Sequence, residues 1–128
     1  MAVLHSLHHV ALICSDYPRS KHFYVDILGL KVIAETYRTA RDSWKLDLEL
    51  GDARLELFSF PGAPVRPSYP EAQGLRHLAF AVDDLEAAVA HLQSHGVACE
   101  PIRMDDLTDK RFTFFADPDD LPLELYER

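Results

Sequence analysis

Two histidines and two glutamates in this chain repeat one another at a single spacing. His9 precedes Glu56 by 47 residues (56 − 9), and His77 precedes Glu124 by the same 47 (124 − 77). The match extends around each of them. His9-x6-Asp16 is copied by His77-x6-Asp84, and Leu55-Glu56-Leu57-Phe58 by Leu123-Glu124-Leu125-Tyr126. A period this long, present twice, predicts two paired modules rather than a solenoid of short repeats. The modules fall at residues 5–60 and 75–128. Residues 61–74, with four prolines and two glycines, read as a connector, and the whole of 1–128 as one domain.

Each module reads as βαβββ. In the first, apolar stretches predict strands at 7–14, 30–37, 44–50 and 54–60, with Gly51-Asp52 as the hairpin turn between the last two. A helix is expected after Asp16, a good N-cap, with Pro18 in its first turn and Gly29 at its end. Phe23, Tyr24, Ile27 and Leu28 form its apolar face. In the second, strands are predicted at 75–82, 97–104, 111–115 and 122–126. The helix covers 84–94, with Leu85, Ala88, Val89 and Leu92 on one face and Gly96 as its stop. The predicted fold is α+β: two paired βαβββ modules whose sheets curl around a shared pocket.

Charge narrows the classes of partner. There are 21 acidic against 13 basic side chains, a formal net charge of -8, which argues against nucleic acid and anionic membrane surfaces. No apolar run approaches the roughly 18 residues of a spanning helix. Residues 1–6 lack the basic start and apolar core of a secretory signal. Cys14 and Cys99 lie far apart with no CxxC, and read as buried, reduced thiols of a cytoplasmic protein.

The repeated residues carry the chemistry. Each module places one His on its first strand and one Glu on its last, among apolar neighbours where a bare carboxylate is costly. One such His is usually a hydrogen-bonded core residue; four residues obeying one spacing are harder to explain that way. Two neutral imidazoles and two carboxylates balance one divalent cation. With no cysteine in the set, Zn, Ni, Co, Mn or Fe(II) suits it. His8 competes with His9, but adjacent strand residues face opposite ways, and the match to His77 selects His9. His5, His22, His91 and His95 read as surface or capping residues. Phe58, Phe60, Phe112, Phe114 and Phe115 read as core, those on a concave face being placed to line a pocket. The polar stretch 38–45, with Arg38, Arg41 and Lys45, reads either as a solvated turn or as an anion-binding loop.

Together these motifs resemble the vicinal-oxygen-chelate (glyoxalase/bleomycin resistance/dioxygenase) superfamily, in particular its glyoxalase I branch. The resemblance is carried by His9-Val10-Ala11-Leu12, Phe23-Tyr24-x3-Leu28-Gly29, Leu55-Glu56-Leu57, Gly74-Leu75-Arg76-His77-Leu78-Ala79-Phe80 and Asp117-Pro118-Asp119 before Glu124. Stretches 41–45, 56–61 and 111–115 are most similar to short bacterial glyoxalase-like proteins of YaeR type. The resemblance implies one divalent metal on His9, Glu56, His77 and Glu124, held within one chain or between two, in a homodimer acting on a small molecule. It implies proton transfer next to a carbonyl through a metal-stabilised enediolate, with Glu124 the first candidate base and Glu56 the second. Methylmalonyl-CoA epimerases of the superfamily carry Gln where Glu56 stands, and fosfomycin thiol transferases use three ligands, so Glu56 favours the glyoxalase I reading over both.

Three positions depart from the pattern. Ile13 stands where glyoxalase I has an Arg for glutathione, and Phe60 where it has an Asn. Apolar side chains cannot replace charged and amide contacts to a carboxylate, so glutathione adducts are expected to be poor substrates. Arg38, Arg41 and Lys45 are then the candidates for another anion clamp. Asp120 replaces a usual Gly, and Asp tolerates the left-handed turn expected there. The alternative functions are a metal-dependent thiol transferase of the fosfomycin type and a non-catalytic ligand-binding module.

Overall fold

A computed structural model describes residues 2–128, so Met1, the start of the stretch read above for a secretory signal, lies outside it. The chain divides into two compact units, one ending at Pro64 and one spanning Val65–Arg128. The first runs β1 (His9–Cys14), α1 (Tyr17–Lys21, continued by a wider π turn over His22–Ile27), β2 (Lys31–Arg38), β3 (Ser43–Leu50) and β4 (Ala53–Ser59). The second runs β5 (Leu78–Val82), α2 (Leu85–Ser94), β6 (Arg103–Asp105), β7 (Lys110–Ala116) and β8 (Pro122–Glu127). Both have the βαβββ order expected from the repeat.

The two four-stranded sheets share a topology, β1-β4-β3-β2 and β5-β8-β7-β6. In each, the first strand of the unit pairs in parallel with the last, and the other pairs are antiparallel. Parallel pairing needs a crossover, and the helix supplies it. Alternation then sorts the side chains. Leu12 and Cys14 of β1 and Leu55 and Leu57 of β4 are buried with Phe23, Tyr24 and Ile27 of the helical segment. In the second unit Leu123 and Leu125 of β8 and Phe115 of β7 are buried with Leu85 and Leu92 of α2. Each fully buried leucine contributes about 1.5–3 kcal/mol. His9, Ala11, Ile13, Glu56 and Phe58 are left on the opposite face of the first sheet, and His77, Ala79 and Glu124 on that of the second.

The helix starts are those predicted. Asp16 accepts the Arg19 amide at 3.1 Å and Asp84 the Ala87 amide at 3.0 Å. The first helix does not stay α-helical: the Leu28 amide reaches back to the Phe23 carbonyl at 2.9 Å before the chain turns through Gly29 at φ 78°. The strand expected at 97–104 contracts to β6. Glu100 still donates to the Phe114 carbonyl at 2.9 Å, but Pro101 has no N–H to extend the ladder. β5 likewise begins at Leu78, leaving His77 just ahead of it. Asp120 takes the left-handed conformation at φ 63°, as expected of its turn. Neither cysteine is in a disulfide; Cys14 is buried and Cys99 only half-buried. Phe115 is core, whereas Phe58, Phe60, Phe112 and Phe114 are half-buried, so the core reading holds for one of the five and Phe114 lines a cavity instead. Among the described residues no helix is long and apolar enough to cross a membrane.

Candidate metal centre

The parallel pairing of β1 with β4 sets Ala11 opposite Glu56, and that of β5 with β8 sets Ala79 opposite Glu124. His9 and His77 each lie two residues earlier, on the same face as the glutamate. Parallel neighbours lie about 4.8 Å apart, so an alanine beside each carboxylate leaves room for the imidazole to lean over it. His9 Nδ1 lies 3.5 Å from Glu56 Oε2, and His77 Nε2 lies 3.1 Å from Glu124 Oε1. The two glutamate side chains are only 11% and 12% exposed. Each unit thus builds one His–Glu pair at the same register.

The pairs differ in surroundings. In the first unit β3 places Asp47 opposite Glu56 and Lys45 opposite Phe58. Lys45 Nζ stands 3.3 Å from Asp47 Oδ1 and 3.8 Å from Glu56 Oε1, close enough for charge attraction without an aligned hydrogen bond to Asp47. In the second unit β7 places Phe114 opposite Glu124, and the His77 ring meets Phe114 edge-on at 5.0 Å. Glu56 therefore has a lysine within 4 Å, while Glu124 is paired with an imidazole and feels Arg76 only through space. His77 and Phe114 also line a cavity of about 700 Å³ within the second unit, with Arg66, Arg76, Arg103 and Cys99 on its walls.

Among the described residues the donors gather as two pairs, and no three His, Cys, Asp or Glu side chains form one metal-binding group. The chemistry of each pair fits a divalent ion. An imidazole nitrogen and a carboxylate oxygen are both ligands for a divalent ion, and a carboxylate nearly out of water, Glu124 above all, gains from the charge such an ion brings. His8 Nδ1 lies 2.9 Å from His9 Nδ1, so one of the two rings donates to the other. His22 pairs with Asp26 at 2.8 Å and is exposed, as expected of a surface residue.

The remaining candidates separate clearly. Ile13 lies on the His9 face opposite Phe58 and is 54% exposed. Phe60 stacks on Phe58 at 5.8 Å. Arg38 lies over both rings, and Arg41 lies exposed in the short 3-10 turn Thr39–Arg41. Lys45 belongs to β3 rather than to a loop. Sequence reasoning missed Asp47, although Lys45, Asp47 and Glu49 alternate with Leu46, Leu48 and Leu50 and so share one face. The arginines around the second unit's cavity left no periodic signal.

The family model for the Glyoxalase/Bleomycin resistance protein/Dioxygenase superfamily matches residues 6–125. The chain is 64% identical to the uncharacterized protein YaeR of Escherichia coli (strain K12), with all of both chains covered. It is 61% identical to the uncharacterized protein YwkD of Bacillus subtilis, covering 98% of this chain and 99% of that one. The crystal structure of SMU.1112c superposes with a TM-score of 0.93 at 50% identity, covering 97% of this chain and 99% of that one. More distant relatives include the metallothiol transferase FosB of Staphylococcus saprophyticus at 30% identity and a lactoylglutathione lyase of Schizosaccharomyces pombe at 25%.

Proposed function

Because the chain belongs to the glyoxalase/bleomycin resistance protein/dioxygenase superfamily, we propose that it is a divalent-metal-dependent, glyoxalase I-like lyase or isomerase of a small carbonyl or thiol-adduct substrate. The observation that carries this reading is the duplicated His–Glu pair, at 3.5 Å in one unit and 3.1 Å in the other. Superfamily members commonly use a divalent metal, and are typically dimers that bind small molecules.

His9, Glu56, His77 and Glu124 are the residues to hold the ion; the sequence leaves open whether one chain or two complete the set. When bound, such an ion supplies Lewis acidity toward neighbouring substrate oxygens and offsets charge that develops as a carbon proton leaves. The protein supplies the base. Glu124 is favoured because Lys45 stands 3.8 Å from Glu56, whereas among the described residues Glu124 has no ion pair with a lysine or arginine and feels Arg76 only through space. A carboxylate that accepts a carbon proton must move toward the substrate, and an imidazole neighbour restrains it less than an ion pair. The Phe114 ring, opposite Glu124 and edge-on to His77, gives one apolar wall beside that proton.

Ile13 and Phe60 give a glutathione carboxylate nothing to pair with, so weak turnover of glutathione adducts is part of this reading. The similarity to a metallothiol transferase favours a second one, thiol addition to a small electrophile. Both are tested by one panel on metal-loaded protein: methylglyoxal with each of several thiols, and fosfomycin with the same thiols. Isomerised product from any hemithioacetal supports the first reading. Fosfomycin adducts alone support the second, and no product with either class counts against both.

A further inference from the structure

Arg38 closes β2 on the side of the first sheet that carries Glu56. Its guanidinium carbon lies 4.8 Å from the centre of the Phe58 ring and 5.4 Å from that of Phe60, and the two rings are stacked. One Nη donates to Ser43 Oγ at 3.1 Å, while Nε is buried with no acceptor. A guanidinium presents five N–H donors in a rigid fork, and leaving a buried one unbonded is unfavourable.

A shortage of carboxylates does not explain this, since the chain has 21 acidic against 13 basic side chains. Some arginines do pair with carboxylates, Arg76 with Glu71 at 2.8 Å, Arg103 with Glu100 at 2.9 Å, and Arg111 with Glu127 at 3.1 Å, while Arg66, also without one, spends its donors on Ser68 and backbone carbonyls. Arg103 is the closest comparison, because it too lies over two aromatic rings, Phe112 and Phe114, yet keeps a carboxylate. Among the described residues Arg38 has an ion pair with none. The adjacent Asp42 is taken by the Tyr37 hydroxyl.

We infer that Arg38 anchors the substrate by a terminal oxyanion, a carboxylate or phosphoryl group, so that the substrate is a short anionic compound rather than a neutral carbonyl. Glu56 and Phe58 are two residues apart on one strand face, which is about 7 Å. Such a substrate therefore places its reacting oxygens at the His–Glu pair and its anionic end a few carbons away at Arg38. Stacking on Phe58 and Phe60 holds the guanidinium plane in place before the ligand arrives, which lowers the ordering cost of a fork-like contact. Arg38 is on this account a specificity-determining residue, and the inference rests on the functional reading above for the identity of the reacting end only.

Two arms test it. In the first, ¹⁵N-labelled metal-free protein is titrated with malonate and with inorganic phosphate against sodium chloride at matched ionic strength. The arginine Nε–H resonance absent from Arg38→Lys is followed. A saturable shift with either oxyanion and none with chloride supports the anchor; a stationary resonance overturns it. In the second, metal-loaded protein binds malate or glycolate, which share an α-hydroxy acid end and differ in the second carboxylate. Wild type is expected to prefer malate at least about tenfold, the value of one charge-assisted contact. Arg38→Lys and Arg38→Ala should lose that preference and keep their glycolate affinity, and equal preference in all three overturns the proposal. Circular dichroism melts confirm that both variants fold. If glycolate fails to bind while malonate still shifts the resonance, the metal reading falls and the anchor stands. If glycolate binds and the resonance is stationary, the reverse holds.

Discussion

Replacing Glu124 by Gln should make the metal-free protein more stable and the metal-loaded protein less so. The Glu124 side chain is 12% exposed, its ion-pair neighbour is His77 at 3.1 Å, and Arg76 acts on it only through space. Burying an incompletely paired polar group costs about 1–3 kcal/mol on mutational scales, and a charge costs more. Gln keeps the shape and removes the charge, so a gain of about 1–2 kcal/mol is expected without metal. For a chain of this length that is a rise of about 4–7 °C in Tm. Metal reverses the order. An ion at a hundred times its Kd stabilises the wild type by about 2.7 kcal/mol, or about 10 °C, and Glu124→Gln loses a charged ligand and most of that increment. The assay is differential scanning calorimetry of both proteins in excess chelator and in excess Ni²⁺ or Zn²⁺. If the variant melts no higher than wild type in chelator, or gains as much from metal, the reasoning about a charge held for a cation is refuted.

Other consequences are simpler to check. The double change Ile13→Arg with Phe60→Asn should raise kcat/KM for the methylglyoxal–glutathione hemithioacetal by at least about tenfold over a feeble wild type, since each contact restored is charge-assisted or amide; steady-state kinetics read it. Asp84→Ala removes the side chain that caps α2 through the Ala87 amide and should cost about 1 kcal/mol in urea denaturation. The bond from Lys21, and then that from Tyr17, hold the Glu35 carboxyl below its usual range. Its stabilising effect is therefore complete above the ordinary carboxylate pKa and disappears as pH falls through the lowered one. Glu35→Gln should accordingly lower the urea midpoint at pH 7 and leave it nearly unchanged at strongly acid pH.

Much of this was legible in the repeat. The same spacing of 47 residues in both halves is met by the same register in both sheets, with Glu56 opposite Ala11 and Glu124 opposite Ala79. Helix starts were legible because Asp16 and Asp84 act locally. What stayed hidden depends on partners distant in sequence or on single backbone atoms. Pro101 ends a ladder that an apolar pattern predicts to continue. The widened turn at His22–Ile27 has no compositional mark. The polar stretch 38–45 left a solvated turn and an anion loop equally open, because polarity does not reveal that Arg38 folds over Phe58 and Phe60 or that Lys45 lies in a strand facing Glu56. Nor does spacing report which donor pairs meet, since each pair is formed within its own unit.

The most direct test of the central claim is the metal content of purified, reconstituted protein, measured by elemental analysis for wild type, His9→Ala, His77→Ala and the double variant. One divalent ion per chain in wild type, a reduced amount in each single variant and none in the double variant is the predicted result. One ion per chain retained by the double variant would contradict it, because the ion would then be held by residues other than the two repeated pairs.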